Sequence, residues 1–340
     1  MTEKSSYKPP DLRGKVALVA GATRGAGRGI ALALGESGAT VYCTGRSTRK
    51  RRTRRSRDGK RAGPEHYYAG RPETIEETAE LVTARGGRGI AVVLDHLEID
   101  GVKKLLSRIR KEQGKLHILI NDISESALQQ FGKPFWAVDL EKGFAMFRNA
   151  IHTHIVTSHF AAPLMMDTAK GKSTPGLIVE IGDGDSYTYR GNLFFDMVKT
   201  TVIRLAFAMA REMRRKNVAA VAITPGFLRS EVMLEHFGVK EENWRDAVKK
   251  EPMYIASETP LFIGRAIAAL AADPNLMKKS GRAYSSWGLS EQYDFCDADG
   301  RRPHLGRKYE ELYGSIKSCD ERFYEYWIGG PLDTIWADWP

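Results

Sequence analysis

"KVALVAGATRGAGRGIALAL", residues 15–34, decides the fold. An apolar run with two valines opens it, a pattern suited to a buried strand. Glycines follow at once, at 21, 25 and 27, spaced G-x-x-x-G-x-G. Then "GIALALGESGA", 29–39, places its apolar residues at helical spacing and carries a glycine near its end. A strand that runs through glycines into a helix is built to hold a pyrophosphate. Gly21 permits the tight turn, and Gly25 and Gly27 remove side chains where phosphate must approach the backbone and the helix start. Glycine repeats alone carry little. Glycines directly after the first strand of an alternating chain carry much more. The turn therefore supplies the candidate coenzyme contacts Gly21, Thr23, Arg24, Gly25, Ala26 and Gly27.

The alternation continues in both register and rhythm. Apolar runs at 40–45, 89–95, 116–122, 176–183, 218–226 and 281–288 read as further strands. Helical patterns lie between them at 71–87, 101–114, 144–166, 194–216 and 259–273. Strands separated by helices of this length run parallel and are joined by crossovers. The expectation is an α/β fold: a Rossmann-like, doubly wound, seven-stranded parallel sheet with helices on both faces. No linker is evident, so residues 1–290 read as one dinucleotide-binding domain. It carries a basic insertion at 47–70 and a looser substrate lid with short helical pieces at 227–260. An aromatic, charged tail, 291–340, is expected to pack on the body or on a partner subunit through Trp327, Trp336 and Trp339.

The second strand ends "CTGR", with Arg46 where an acid would hold the ribose hydroxyls of NAD. Arg24 lies within the glycine turn. Guanidinium groups suit a 2′-phosphate, so NADP(H) is the preferred coenzyme and NAD(H) the alternative. Asp95, closing the third strand, reads either as a partner for the adenine amino group or as a helix cap.

The net charge of +10 does not mark a nucleic-acid protein. The segment 46–61 holds ten Lys and Arg against one Asp, which accounts for nearly all of it. One basic insertion is not a basic face. It reads as a solvated loop, as a lid adding positive potential near Arg46, or as a targeting or polyanion-binding run. Apolar residues make up 42% of the 340, enough for a full core. Cys43, Cys296 and Cys319 are too scattered for a metal site or a disulfide framework. His152, His154 and His159 lack the spacing of a metal pair on one helix face and read as packing or interface residues; no metal is expected. The N-terminus lacks the apolar core of a signal peptide, and no run approaches a membrane span. The expected location is cytoplasmic.

Together these blocks resemble the short-chain dehydrogenase/reductase superfamily over roughly 270 residues, from "KVALVAGATRGAGRGIA" to "GRAYSSWG". "LHILIND" is similar to the family's fourth strand, whose usual continuation is Asn-Asn-Ala-Gly; here Asn121 matches and "DIS" follows. "NAIHTHIVT" is similar to the helix of the catalytic asparagine, at Asn149. "GLIVEIGD" is similar to the strand that ends in the catalytic serine, with Gly182 or Asp183 in its place. "FFDMVK" is similar to Tyr-x-x-x-Lys, with Phe195 for the tyrosine and Lys199 for the lysine. "TPGFLRSEVM" resembles the Pro225–Gly226 turn beside the coenzyme that opens the lid, with Ser230 for the usual threonine. The insertion and the tail look most like a long-chain bacterial subgroup of DHRS1-like lineage.

The resemblance implies hydride transfer between a nicotinamide coenzyme and a carbonyl, alcohol or related small molecule. It also implies that Lys199 binds the nicotinamide ribose and that Asn149 holds a water linked to it. Residues 195 and 199 are four apart, so on a helix both face one way. A tyrosine beside that cation would favour phenolate, but Phe195 has no proton to give. Tyr187, in "GDSYTYRGN", is the better candidate for a replacement donor; Tyr189 is the other phenol in reach, and both also read as ordinary turn tyrosines. Asp183 serves as an acid only if burial raises its pKa, with Asp185 as a helping carboxylate. Phe227, Met233 and Phe237 in the lid suggest a hydrophobic substrate, or simply lid packing. The alternative function is a coenzyme-binding protein with a non-redox or scaffolding role. By the same resemblance the two long helices, 144–166 and 194–216, are the expected subunit contact of a homodimer or homotetramer.

Overall fold

The computed structural model describes residues 7–50, 71–124, 130, 132–184 and 190–313. Seven strands form one sheet in the order β3-β2-β1-β4-β5-β6-β7. They are β1 Val16–Ala20, β2 Thr40–Gly45, β3 Arg88–Val93, β4 Ile118–Asn121, β5 Gly176–Ile181, β6 Val218–Thr224 and β7 Ala283–Ser285. Every pairing is parallel. The strand order reverses between β1 and β4, where the crossovers diverge and leave a crevice at the strand C-termini.

Side-chain alternation along the strands divides the core in two. Ala17 and Val19 of β1 point to one face, with Ile30 and Leu34 of α1 (Gly25–Glu36) and Phe262 and Ile267 of α8 (Pro260–Ala272). Val16 and Leu18 point to the other, with Leu105 and Ile109 of α3 (Ile99–Gln113) and Leu164 of α5 (Thr153–Ala169). Burial on both sides is why these strands read as unbroken apolar runs. α2 (Ile75–Ala84) starts at Thr74, whose side chain accepts the Glu77 N–H. α6 (Leu193–Met213) starts at Asn192, whose Oδ1 accepts from the N–H groups of Phe194 and Phe195.

Two elements differ from the sequence reading. The segment 144–166 is not one helix. α4 (Leu140–Phe147) runs into a single π turn, Arg148–His152, before α5 continues. The run 281–288 is strand only at Ala283–Ser285. The Ser285 side chain then accepts the Gly288 N–H and opens a helix, α9 (Ser286–Tyr293). A serine before a helical stretch is a start signal that the apolar run masked.

The segment 227–260 contains α7 (Glu231–Phe237), and two short 3₁₀ segments precede α8. Phe227, Met233 and Phe237 pack with Trp244 and Tyr254 into a cluster of their own. Phe227 meets the Tyr254 ring edge-on at 5.0 Å. These side chains pack on one another within 227–260, so they give no support to a hydrophobic substrate. Beyond α9, Phe295 sits in the main core against Phe262, and α10 (Leu305–Tyr313) closes the described chain. Trp327, Trp336 and Trp339 lie outside the described residues, as does most of the basic insertion.

Candidate active site

The glycine turn sits at the β1/β4 reversal and leaves no room for a side chain at Gly21 or Gly27. Gly21 has φ +97°, and a Cβ there would lie 2.5 Å from the Asp122 carbonyl oxygen. A Cβ on Gly27 would lie 2.3 Å from the Gly21 carbonyl oxygen and 2.8 Å from Asp122 Oδ2. The turn, the start of α1 and the end of β4 thus form one close-packed unit. At its edge the Gly25 N–H donates to Glu231 Oε2 at 2.8 Å. A carboxylate from α7 therefore occupies a backbone donor at the N-terminus of α1, where backbone N–H groups and the helix dipole favour an anion.

The basic groups around the end of β2 are paired with acids. Arg24 Nε lies 3.4 Å from Glu73 Oε2, and its Nη2 donates to Ser47 Oγ at 3.2 Å. Arg46 Nη1 lies 3.7 Å from Asp95 Oδ2. Asp95 Oδ1 also accepts the Leu97 N–H at 3.0 Å, so this acid shapes the β3–α3 turn, while Glu98 takes the N-cap position of α3 without a side-chain bond. Burial works against the Glu73 carboxylate, yet the hydrogen bonds from Arg71 and the charges of Arg71 and Arg24 hold its pKa below the usual value.

The family-like positions fall as follows. Lys199 Nζ lies 5.6 Å from the centroid of the Phe195 ring, one helical turn before it. That ring is 6% exposed, in an apolar cluster with Met146, Ala150, Phe194 and Val198. Asn149 lies in the π turn, and its carbonyl accepts from the Thr153 hydroxyl at 2.5 Å. Asp183 is exposed at the end of β5, so the burial that an acid role required is not there. Asp185, Tyr187 and Tyr189 lie outside the described residues. Gly226 is held by its N–H, which donates to Glu258 Oε2 at 2.9 Å; Ser286 donates to the same oxygen. Burial pushes the Glu258 carboxyl up to about 8. Ser230 caps α7 through the Met233 N–H.

Sequence reasoning missed two acids that the fold brings together with Asn121 and His154, namely Asp122 and Glu180. Asp122 accepts the Gly27 N–H, and burial pushes its carboxyl up to about 7 against the opposing charge of Lys199, the Gly27 N–H and His154. Behind it, the fully buried Glu180 accepts from Asn121 Nδ2 at 2.7 Å and lies 2.6 Å from His154 Nδ1. His154 Nε2 lies 3.0 Å from the Ile123 carbonyl, which only accepts, so Nε2 carries a hydrogen. The chain Glu180–His154–Ile123 thus fixes the backbone that follows Asp122. His154 is a buried hydrogen-bonding residue, not a packing one. The available signal was a lone acid inside the apolar run "GLIVEI". Among the described residues, no three His, Cys, Asp or Glu lie together as a metal site, and no helix is long and apolar enough to cross a membrane.

Asp122 makes stability depend on pH in a defined direction. An unfolded aspartate titrates near ~3.9. Between there and about 7 the folded chain binds the extra proton, so this group's contribution to stability falls as pH rises through that window. Urea midpoints at pH 5 and pH 8 should therefore drop less for Asp122→Asn than for the parent. Equal drops would remove Asp122 as the source.

The family model described as short chain dehydrogenase matches residues 60–238. The chain is 32% identical over 296 residues to dehydrogenase/reductase SDR family member 1 of Mus musculus, covering 85% of each. Among solved structures it is similar to a short chain dehydrogenase from Mycobacterium thermoresistibile, with a TM-score of 0.65 at 19% identity, covering 83% of this chain and 88% of that one. It is also similar to a Beutenbergia cavernae structure described as an NAD(P) dependent gluconate 5-dehydrogenase with NADP bound at low occupancy. That match has a TM-score of 0.60 at 21% identity and covers 82% of this chain and 97% of the other.

Proposed function

This chain belongs to the short-chain dehydrogenase family, and on that premise we propose that it is an NADP(H)-dependent oxidoreductase acting on a small carbonyl or alcohol. One observation carries the coenzyme half: at the β1/β4 reversal, a turn with no room for a side chain at Gly21 or Gly27 holds a carboxylate on its Gly25 N–H. A backbone N–H that donates to the Glu231 carboxylate is suited to a pyrophosphate oxygen. The residues fit the coenzyme. The Gly21–Gly27 backbone takes the pyrophosphate, and Arg24 and Arg46 take the 2′-phosphate. NADP in the Beutenbergia cavernae relative is consistent with that choice. Asn121 closes β4 beneath the site, and Pro225 and Gly226 border it on the lid side.

When bound, the coenzyme supplies or accepts a hydride. The chain's own residues position and protonate. Lys199 places a cation next to the ring of Phe195 and near Asp122. Asn149 offers a place for a water in the π turn. The proton comes from a donor other than residue 195, Tyr187 or a water, because a phenyl ring has none. Exposed Leu140, Phe144, Ile155, Leu193 and Met197, on α4, α5 and α6, suit burial against a second subunit, so the same reading includes a homodimer or homotetramer.

Titration with NADPH and NADH, followed by loss of NADPH absorbance over a panel of carbonyl compounds, tests this. Saturable binding with turnover is expected; no affinity for either nucleotide would overturn it. Glu231→Gln adds a directed check. Removing the competing charge from the Gly25 N–H should tighten NADPH binding about fivefold, equivalent to ~1 kcal/mol at a helix N-terminus. Unchanged affinity would mean that the carboxylate and the coenzyme do not share this donor.

A further inference from the structure

Arg24 and Arg71, far apart in sequence, meet on one acid beside the end of β2. Arg71 grips Glu73 with two nitrogens, Nε to Oε2 at 3.2 Å and Nη2 to Oε1 at 3.3 Å. Arg24 Nε approaches the same Oε2 at 3.4 Å. The Nη1 of Arg71 donates to Glu235 of α7, tying this cluster to the lid. Glu73 is only 6% exposed, whereas Glu235 is largely in solvent. The acid is therefore built into the fold, not resting on its surface. It stands directly before Thr74, the cap of α2, so the helix start fixes its position.

A 2′-phosphate recruits guanidinium groups and brings about two negative charges with it. Here it must share Arg24 with a buried carboxylate or displace that carboxylate, and like charges at close range weaken binding. A ribose with free hydroxyls meets no such cost, and a nearby carboxylate can accept its hydrogen bonds. We propose that Glu73 is a specificity-determining residue for the coenzyme: by holding Arg24 and Arg71 it restrains the preference for the 2′-phosphate and keeps the non-phosphorylated coenzyme acceptable. The inference rests on the reading that this chain binds a nicotinamide dinucleotide. Glu73 and Arg71 themselves come from the chain just before α2, outside the glycine turn and the end of β2.

The test measures binding, not turnover. Calorimetric titration with adenosine 2′,5′-bisphosphate and with 5′-AMP, alongside NADPH and NADH, gives a phosphate preference for each form of the chain. Glu73→Gln keeps hydrogen-bonding atoms and removes the charge. It should raise the preference for the 2′-phosphorylated member of each pair about tenfold. Arg71→Gln leaves Glu73 less neutralised and should shift the preference several-fold the other way. Unfolding curves check that each variant folds, and if one does not, the other decides alone. A parent that binds these nucleotides while the ratio stays within about twofold in the folded variants overturns the inference and leaves the proposed function standing. A parent that binds none of them overturns both.

Discussion

Phe195→Tyr is expected to raise carbonyl turnover by about 10²–10⁴, the range a positioned general acid contributes. The ring is already held in place. Asn192 caps the first turn of α6, Met146, Ala150, Phe194 and Val198 pack around residue 195, and Lys199 Nζ stands 5.6 Å from the ring centroid. A phenol here would have a cation as neighbour, which favours its ionised form and lowers its pKa. The added oxygen enters a nearly buried site, and leaving it without a partner would cost roughly 1–3 kcal/mol of stability. The expected variant is thus faster and no more stable. Steady-state rates with saturating NADPH measure the gain, and Phe195→Leu serves as a packing control. A variant that binds coenzyme with unchanged affinity yet shows no gain would count against residue 195 as the tyrosine position. It would move weight to a chain that holds coenzyme without reducing a carbonyl.

Glu180→Ala is expected to destabilise the fold by about 3–5 kcal/mol, the cost of breaking a buried pair by removing one partner. Glu180 is fully buried in the centre of the sheet. Its removal strands His154 Nδ1, 2.6 Å from its Oε2, and takes one of two acceptors from Asn121 Nδ2, which also donates to Ser158 Oγ. The effect should also reach function. With Glu180 gone, His154 no longer has a fixed ring against the Ile123 carbonyl, and the backbone beside Asp122 loosens. Chemical denaturation reads the first effect and coenzyme affinity the second. Replacing Asn121, Glu180 and His154 together by apolar residues of similar volume should recover much of the stability but not the affinity. A loss under ~1 kcal/mol for Glu180→Ala would mean that water or a neighbour replaces the carboxylate.

Much of the fold was legible because its signals are local. "KVALVAGATRGAGRGIALAL" carries a strand, a turn and a helix in one stretch, and the strand–helix rhythm then implies parallel crossovers. The misread elements failed for local reasons too. "GRAYSSWG" gave apolar residues to both a short strand and a helix start, and the serine cap was the weaker signal. The long helix 144–166 hid a π turn, since insertion of one residue in a helical turn barely alters the apolar spacing.

The sequence by itself determined the sheet, the glycine turn at its reversal, and the placement of Lys199 one helical turn from Phe195. These follow from periodicity and steric rules that act over a few residues. Only the tertiary structure decided which acids stand against those groups: Glu73 on Arg24, Glu231 on the Gly25 N–H, Asp122 under Gly27, and Glu180 between Asn121 and His154. Each of these partners comes from a distant part of the chain. Charges and hydrogen bonds act through space, so their pairing exists only after the crossovers have brought the strand ends and the lid together.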